Sequence, residues 1–145
     1  MPDSSTQSIT IAAEPQQVAT VVTDFAAYPT WVNGVKTVEV LSTDDSGRGH
    51  EVRFVVDAGV VKDDYTLRYS YADDLCHIEW DLVRGDIQRM QHGSYDLADN
   101  GDGTTTVTYT LAVELNMPML GMLRRKAEKM IMDTALKGLK KQVEG

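Results

Sequence analysis

The side chains of this chain that could do chemistry are few, and their spacing excludes more than it suggests. The three histidines, His50, His77 and His92, fall on separate predicted strands. None stands at the helical or close spacing that metal sites use, so no metal site is expected. The single cysteine, Cys76, is adjacent to His77. Neighbours on a strand point to opposite faces, so the two cannot form a nucleophile–base pair. The sequence has neither a glycine-rich phosphate loop nor a Gly-x-Ser-x-Gly elbow. The more useful polar groups are Arg84, Arg89 and Gln91, grouped around Gly85-Asp86. Arg84 continues the face of Ile78, Trp80 and Leu82, and Arg89 that of Gly93, Tyr95 and Leu97. Strict alternation therefore puts two guanidiniums and an amide at one end of an apolar face, where they are fixed donors for developing negative charge. The alternative is a solvated rim at a hairpin end.

The elements that must position these groups are legible from periodicity. Residues 8–13 alternate and read as a strand. Pro15 suits the first position of a helix, and Val18, Val21, Val22 and Phe25 lie on one helical face. Pro29 ends or breaks that helix, and a short second helical turn is expected over Tyr28 to Val32. After Asn33-Gly34 the period changes to two. Strands are expected over Val35–Leu41, His50–Asp57 (leaving through Ala58-Gly59), Lys62–Tyr71, Cys76–Val83, Ile87–Leu97 and Thr104–Leu115. In the last of these, the threonines at 104, 106, 108 and 110 mark a wet face, and Val107, Tyr109, Leu111, Val113 and Leu115 a dry one. Asn116-Met117-Pro118 opens a final helix to about Glu144, with an apolar stripe of Leu120, Leu123, Ala127, Met130, Ile131, Thr134 and Gly138.

Bulk properties set the frame. The chain has 145 residues and no linker-like segment, so a single domain over 1–145 is expected, with residues 1–7 as a flexible N-terminus. The net charge of -8 argues against nucleic acid as a partner, which would require neutralised phosphates. The charge is uneven: net +4 from Pro118 onward and -12 before it. A cationic solvent face on the last helix accounts for this, and transient contact with an anionic membrane surface is the sharper reading. No apolar run approaches the ~20 residues of a membrane span, and the first eight residues lack a signal-peptide pattern, so a soluble cytoplasmic protein is expected.

Seven strands with one wet face need cover on the other, and only the last helix is long enough to supply it. The dry face carries many aromatics with polar tips, namely Tyr65, Tyr69, Trp80, Tyr95 and Tyr109, with Phe54 on the strand before them. Such rings suit a partly wet pocket, or else a filled core whose hydroxyls reach the rim. Small residues on the helix stripe, Ala127 among them, permit either close packing on the sheet or an open space for that pocket. The expected ligand-binding set is therefore Phe54, Tyr65, Tyr69, Trp80, Arg84, Arg89, Gln91, Tyr95, Tyr109, Leu123, Ala127 and Met130.

Four segments carry a resemblance: Ile9-x-Ile11-x-Ala13 before Pro15-x-x-Val18, Tyr28-Pro29-x-Trp31, Gly93-x-Tyr95-x-Leu97 and Asp102-Gly103-Thr104. Together they resemble the START-like (SRPBCC) superfamily, and within it the polyketide cyclase/dehydrase and lipid-transport proteins. The resemblance implies an α+β helix-grip fold, a seven-stranded antiparallel curved sheet wrapped around a long C-terminal helix with two short helices between strands 1 and 2. It implies a hydrophobic small-molecule ligand, no cofactor, and a monomer or homodimer. Family cyclases imply arginine and tyrosine side chains that polarise ketones and stabilise an enolate. Carriers and docking modules of the same superfamily imply no catalysis. Trp31, as part of the matching motif, is expected to pack near the terminal helix.

Overall fold

A computed structural model describes residues 4–57, 62–117 and 121–145. The elements follow in the order β1 (Ser5–Ile11), α1 (Pro15–Thr23), a 3-10 turn (Phe25–Ala27), α2 (Tyr28–Trp31), β2 (Val35–Thr43), β3 (Gly49–Asp57), β4 (Lys62–Tyr71), β5 (His77–Gly85), β6 (Gln88–Asp99), β7 (Thr105–Leu115) and α3 (Gly121–Glu144). The strands form one antiparallel sheet in the order β1-β7-β6-β5-β4-β3-β2. This is the expected helix-grip arrangement. The expected exit turn at Ala58-Gly59, the helix opening at Pro118 and the stripe residue Leu120 lie outside the described residues.

The first strand is longer than its apolar alternation suggests. Ser5, Thr6 and Gln7 pair with Leu111, Thr110 and Tyr109, so the segment expected to be flexible is strand from Ser5 onward. The reason is polar. Ser5 and Gln7 hydrogen-bond to Glu128 and Asp133 of α3, which alternation of apolar residues cannot register. Pro15 sits at the first position of α1, and Gln17 Oε1 accepts the Glu14 N–H at 3.1 Å. The helix then buries Val18, Ala19 and Val22.

The two sheet edges are treated differently. The β2–β3 ladder has three register irregularities, between Val35 and Thr37, Val40 and Ser42, and Ser42 and Thr43. The β1 edge has an unbroken register and is covered by α3.

α3 does not present the expected stripe to the sheet. Its buried residues are Glu128, Met132, Leu136 and Leu139, whereas Leu123 is 53% and Met130 65% exposed. The misread residue is Glu128, only 1% exposed, which a hydrophobic pattern assigns to solvent. Its carboxylate is satisfied inside: Oε1 accepts from Ser5 Oγ at 2.6 Å and Oε2 from the Val113 N–H at 2.9 Å. Gln7 donates to Asp133, Lys140 donates to the Thr10 carbonyl at 2.8 Å, and the Ala12 N–H donates to Glu144 at 2.8 Å. These contacts run in order along both elements. From Glu128 to Glu144 a helix rises about 24 Å, and from Ser5 to Ala12 an extended chain covers about the same length. α3 therefore lies alongside β1, and its close approaches are to β1, β7, α1 and α2.

Glu128→Leu should cost about 2 kcal/mol in urea denaturation, because the Val113 N–H and Ser5 hydroxyl lose their acceptor inside the fold. Glu128→Gln, which keeps one acceptor oxygen, should cost less. Equal midpoints for all three proteins would contradict the anchoring role.

Candidate functional site

The inner face of the sheet carries a contiguous belt of aromatic rings. It begins on α2, where Tyr28 and Trp31 meet edge to face at 5.2 Å, and passes through Phe25 and Phe54. Phe54 on β3 stacks on Tyr65 of β4 at 5.4 Å and 19°. Tyr69 then contacts Trp80 at 5.5 Å, Trp80 contacts Tyr95 and Tyr109 at 5.3 and 5.7 Å, and Tyr95 and Tyr109 pair across β6 and β7 at 4.7 Å. Strand alternation explains the belt, since Tyr65, Leu67 and Tyr69 share one face of β4, as do Ile78 and Trp80 on β5. Phe54, Tyr69, Trp80, Tyr95 and Tyr109 are buried, and Tyr65 is half-buried.

The tyrosine hydroxyls divide into two groups. Tyr28 donates to the Val22 carbonyl and Tyr71 to the Gly49 carbonyl at 2.5 Å. The hydroxyls of Tyr65, Tyr69, Tyr95 and Tyr109 make no hydrogen bond among the described residues. Burial pushes all four phenols well above the ordinary tyrosine value, and Tyr65 adds to the effect at Tyr69, Tyr95 and Tyr109. These are neutral donor–acceptor groups, close enough for ionisation of one to oppose that of another.

Both arginines are turned away from this face. In the β4–β5 ladder Thr66 pairs with Arg84 and Leu67 with Leu82, so Val83 is an extra residue and reverses the phase after it. Arg84 lies 54% exposed beside Asp64 and Asp86, at 3.7 and 3.5 Å. In the β6–β7 ladder Gln88 pairs with Leu115 and Met90 with Glu114, which makes Arg89 the extra residue. Arg89 is 64% exposed and donates to Glu114 at 3.2 Å. The two-guanidinium array inferred from strict alternation is therefore not formed. Arg84 joins an outer cluster instead, in which Arg53 donates twice to Asp64, at 2.8 and 2.5 Å, and holds that carboxyl below the usual aspartate range.

In place of the arginines, three residues carry polar chemistry on the inner face. Trp80 Nε1 donates to Gln91 Oε1 at 2.8 Å, Gln91 Nε2 to Gln88 Oε1 at 2.7 Å, and Gln88 Nε2 to Asp63 Oδ2 at 2.7 Å. Gln91 is on the face expected of it. Gln88 escapes simple alternation because the bulge at Arg89 reverses its phase. Asp63 is in phase with Tyr65, Leu67 and Tyr69 on β4 and, as a lone carboxylate, gives no apolar signal. Gly93 carries a legible signal, standing opposite Trp80 in the ladder. A Cβ built on Gly93 would fall inside the Trp80 indole, so glycine lets the ring lie flat across β6.

On α3, Ala127 is half-buried, and Leu123 and Met130 face outward. Gly138 lies against Trp31, whose carbonyl and ring would stand 3.4 and 3.5 Å from a Cβ there, so Trp31 does pack on the terminal helix. The Trp31 indole N–H is buried without a partner among the described residues. His77 and His92 lie on the outer face, next to Asp96 and Asp81 at 2.6 and 2.8 Å. The Asp96 carboxylate raises His77 above the ordinary imidazole value. Among the described residues no three His, Cys, Asp or Glu side chains are grouped to hold a metal ion. None of the described helices is long and apolar enough to cross a membrane.

Residues 2–144 match the family described as polyketide cyclase/dehydrase and lipid transport. Solved structures with a similar fold include the following three. A START superfamily protein from Mycobacterium smegmatis is 24% identical over 97% of both chains, with a TM-score of 0.90. The Zhui aromatase/cyclase from a Streptomyces species is 15% identical, covering 99% of this chain and 94% of that one, with a TM-score of 0.82. A protein from Thermus thermophilus is 23% identical over 97% of both chains, with a TM-score of 0.80. No match was found among curated protein sequences.

Gly93→Ala should move the Trp80 indole off β6 and lower stability by about 1–3 kcal/mol, the range for an overpacked core position. Trp80 fluorescence should change with it. A variant with unchanged emission and unchanged thermal midpoint would contradict the packing described.

Proposed function

The chain belongs to the polyketide cyclase/dehydrase and lipid transport family, and on that premise we propose that it binds and carries a hydrophobic small molecule with oxygen acceptors, of lipid, fatty-acyl or polyketide-like type. The binding space in this reading lies between the aromatic belt and α3. The observation that carries it is the set of four inner-face tyrosine hydroxyls without a hydrogen-bond partner among the described residues. A filled core would leave each of them unsatisfied, at about 1–3 kcal/mol apiece. A ligand with carbonyl or hydroxyl oxygens would satisfy them, while the rings around them supply apolar contact. The Trp31 indole N–H, also unpartnered among the described residues, adds a donor at the α2 end of the same belt. Ala127 and Ile131 lie on the flank of α3 that continues from the Gly138–Trp31 contact, which suits them to the edge of the binding space.

A cyclase or dehydratase acting on a carbonyl-rich chain is the second reading. The phenols favour it, since they could orient ketones. The outward turn of Arg84 and Arg89 weighs against it, because it removes the cations that would stabilise an enolate. A docking role has its own support on α3, where Met122, Leu123 and Met130 are exposed in a segment that also carries Lys126 and Lys129. That mixture suits an anionic lipid surface.

Native mass spectrometry of gently purified protein should show a bound species that solvent extraction releases, and the emptied protein should take up Nile red. Tyr95→Phe and Tyr109→Phe should each weaken an oxygenated ligand by up to about tenfold and leave a purely aliphatic one nearly unaffected. Protein that is empty as purified and takes up no probe would overturn the binding reading. Sedimentation with phosphatidylserine vesicles but not with phosphatidylcholine vesicles would support docking through α3, and equal failure with both would remove it.

A further inference from the structure

Asp63 is a buried carboxylate on the inner face, and each of its hydrogen-bond partners is an N–H. Its Oδ1 accepts from the backbone of Asp64, Asp86 and Ile87 at 2.9, 3.1 and 3.2 Å, and its Oδ2 from Gln88 Nε2 at 2.7 Å. From there the hydrogen bonds continue through Gln88 and Gln91 to the Trp80 indole, and all of them run in one direction. The two ends impose that direction. An indole N–H can only donate and a carboxylate can only accept, so each amide between them has one orientation available. The bulge at Arg89 makes the path possible. Residues 88 and 91 would point to opposite faces of a regular strand, and one extra residue between them puts both inside.

We propose that Asp63, Gln88 and Gln91 are positioning residues for Trp80: a one-way relay whose direction is set by the Asp63 carboxylate and which clamps the indole across Gly93. The assignment of that indole as a wall of the ligand site rests on the binding reading above; the relay itself does not. Asp63 is the remote end of the device, since no hydrogen bond joins it directly to Gln91 or Trp80.

A relay with fixed polarity responds to isosteric changes in a way that shape alone does not. In Asp63→Asn the remaining oxygen stays with the three backbone N–H groups, and the new amide nitrogen faces the Gln88 nitrogen. Gln88 must flip, Gln91 must flip after it, and an N–H is then left facing the Trp80 N–H. Gln91→Glu has the converse fault, because the introduced carboxylate accepts from Trp80 but meets the Gln88 oxygen. Combining the two substitutions removes both conflicts. The amide introduced at position 63 donates to the flipped Gln88, and the Gln88 nitrogen donates to the carboxylate introduced at position 91. That carboxylate still accepts from Trp80. The net charge of the pair is unchanged.

The test follows the Trp80 indole N–H in ¹⁵N–¹H spectra, assigned with Trp80→Phe, alongside thermal midpoint and Nile red affinity for the two single variants and the double variant. Each single variant should shift the indole resonance, speed its exchange with solvent and lower the midpoint, and the double variant should return all three toward wild type. Where the probe binds, each single variant should weaken it by about tenfold and the double variant should recover most of that loss. If one single variant fails to fold, a folded double variant with a wild-type indole signal still supports the relay. Singles that leave the resonance in place, or a double variant no better than the sum of its parts, overturn it. Absence of Nile red uptake by the wild type would count against the ligand site alone, since the indole resonance reads the relay without any ligand.

Discussion

The inner face of this protein depends on where its long helix is pinned. α3 is tied along β1 by hydrogen bonds in sequence order, from Ser5 with Glu128 to Ala12 with Glu144. The different rises of helix and strand happen to match over that span, so one element can be laced to the other without strain. Because the lacing is at the sheet's β1 end, the helix covers β1 and β7 closely. The face of β3 to β6 is left to rings. A helix centred over the sheet would have buried those rings against leucines and methionines. Pinned at one side, it leaves phenol groups that have no partner among the described residues, and the proposed small-molecule function rests on groups of that kind.

Register is the second determinant. Single extra residues at Val83 and Arg89 exchange what lies inside for what lies outside at one end of the belt. Two cations lie on the outer face, where carboxylates receive them, and Gln88 turns inward to join Gln91 and Asp63. Guanidiniums on an apolar face would need desolvation and partners that this face does not supply. The amides cost less to bury, provided that every donor finds an acceptor, and the chain from Trp80 to Asp63 satisfies that condition.

Much of this architecture can be read from the residue pattern. Elements and their order follow from periodicity, and the inward phase of Tyr65, Tyr69, Trp80, Tyr95 and Tyr109 follows from alternation alone. What cannot be read shares one cause, which is that the deciding interaction is polar and local. Glu128 looks like a surface residue until the Val113 N–H is found waiting for it. Leu123 and Met130 look like core until Glu128 is placed inside and the helix turns accordingly. A bulge leaves no hydrophobic trace, so alternation phases Arg84 and Arg89 inward and Gln88 outward, while Asp63, in phase with Tyr65, is passed over because a lone carboxylate carries no apolar signal. Gly93 is the exception, since a glycine facing a tryptophan across a ladder is a recognisable pairing.

An open sheet of this kind has two raw edges, each a template on which a foreign strand could grow. The β2 edge is blunted permanently, because its irregular register offers no uninterrupted row of hydrogen-bonding groups. The β1 edge has a regular register and depends on α3 for its cover. The contacts that lace helix to strand therefore do a second job: they protect the chain from assembling with copies of itself. Loosening α3 should make the protein prone to aggregate before the rest of the fold is lost, with β1 as the site where assembly starts.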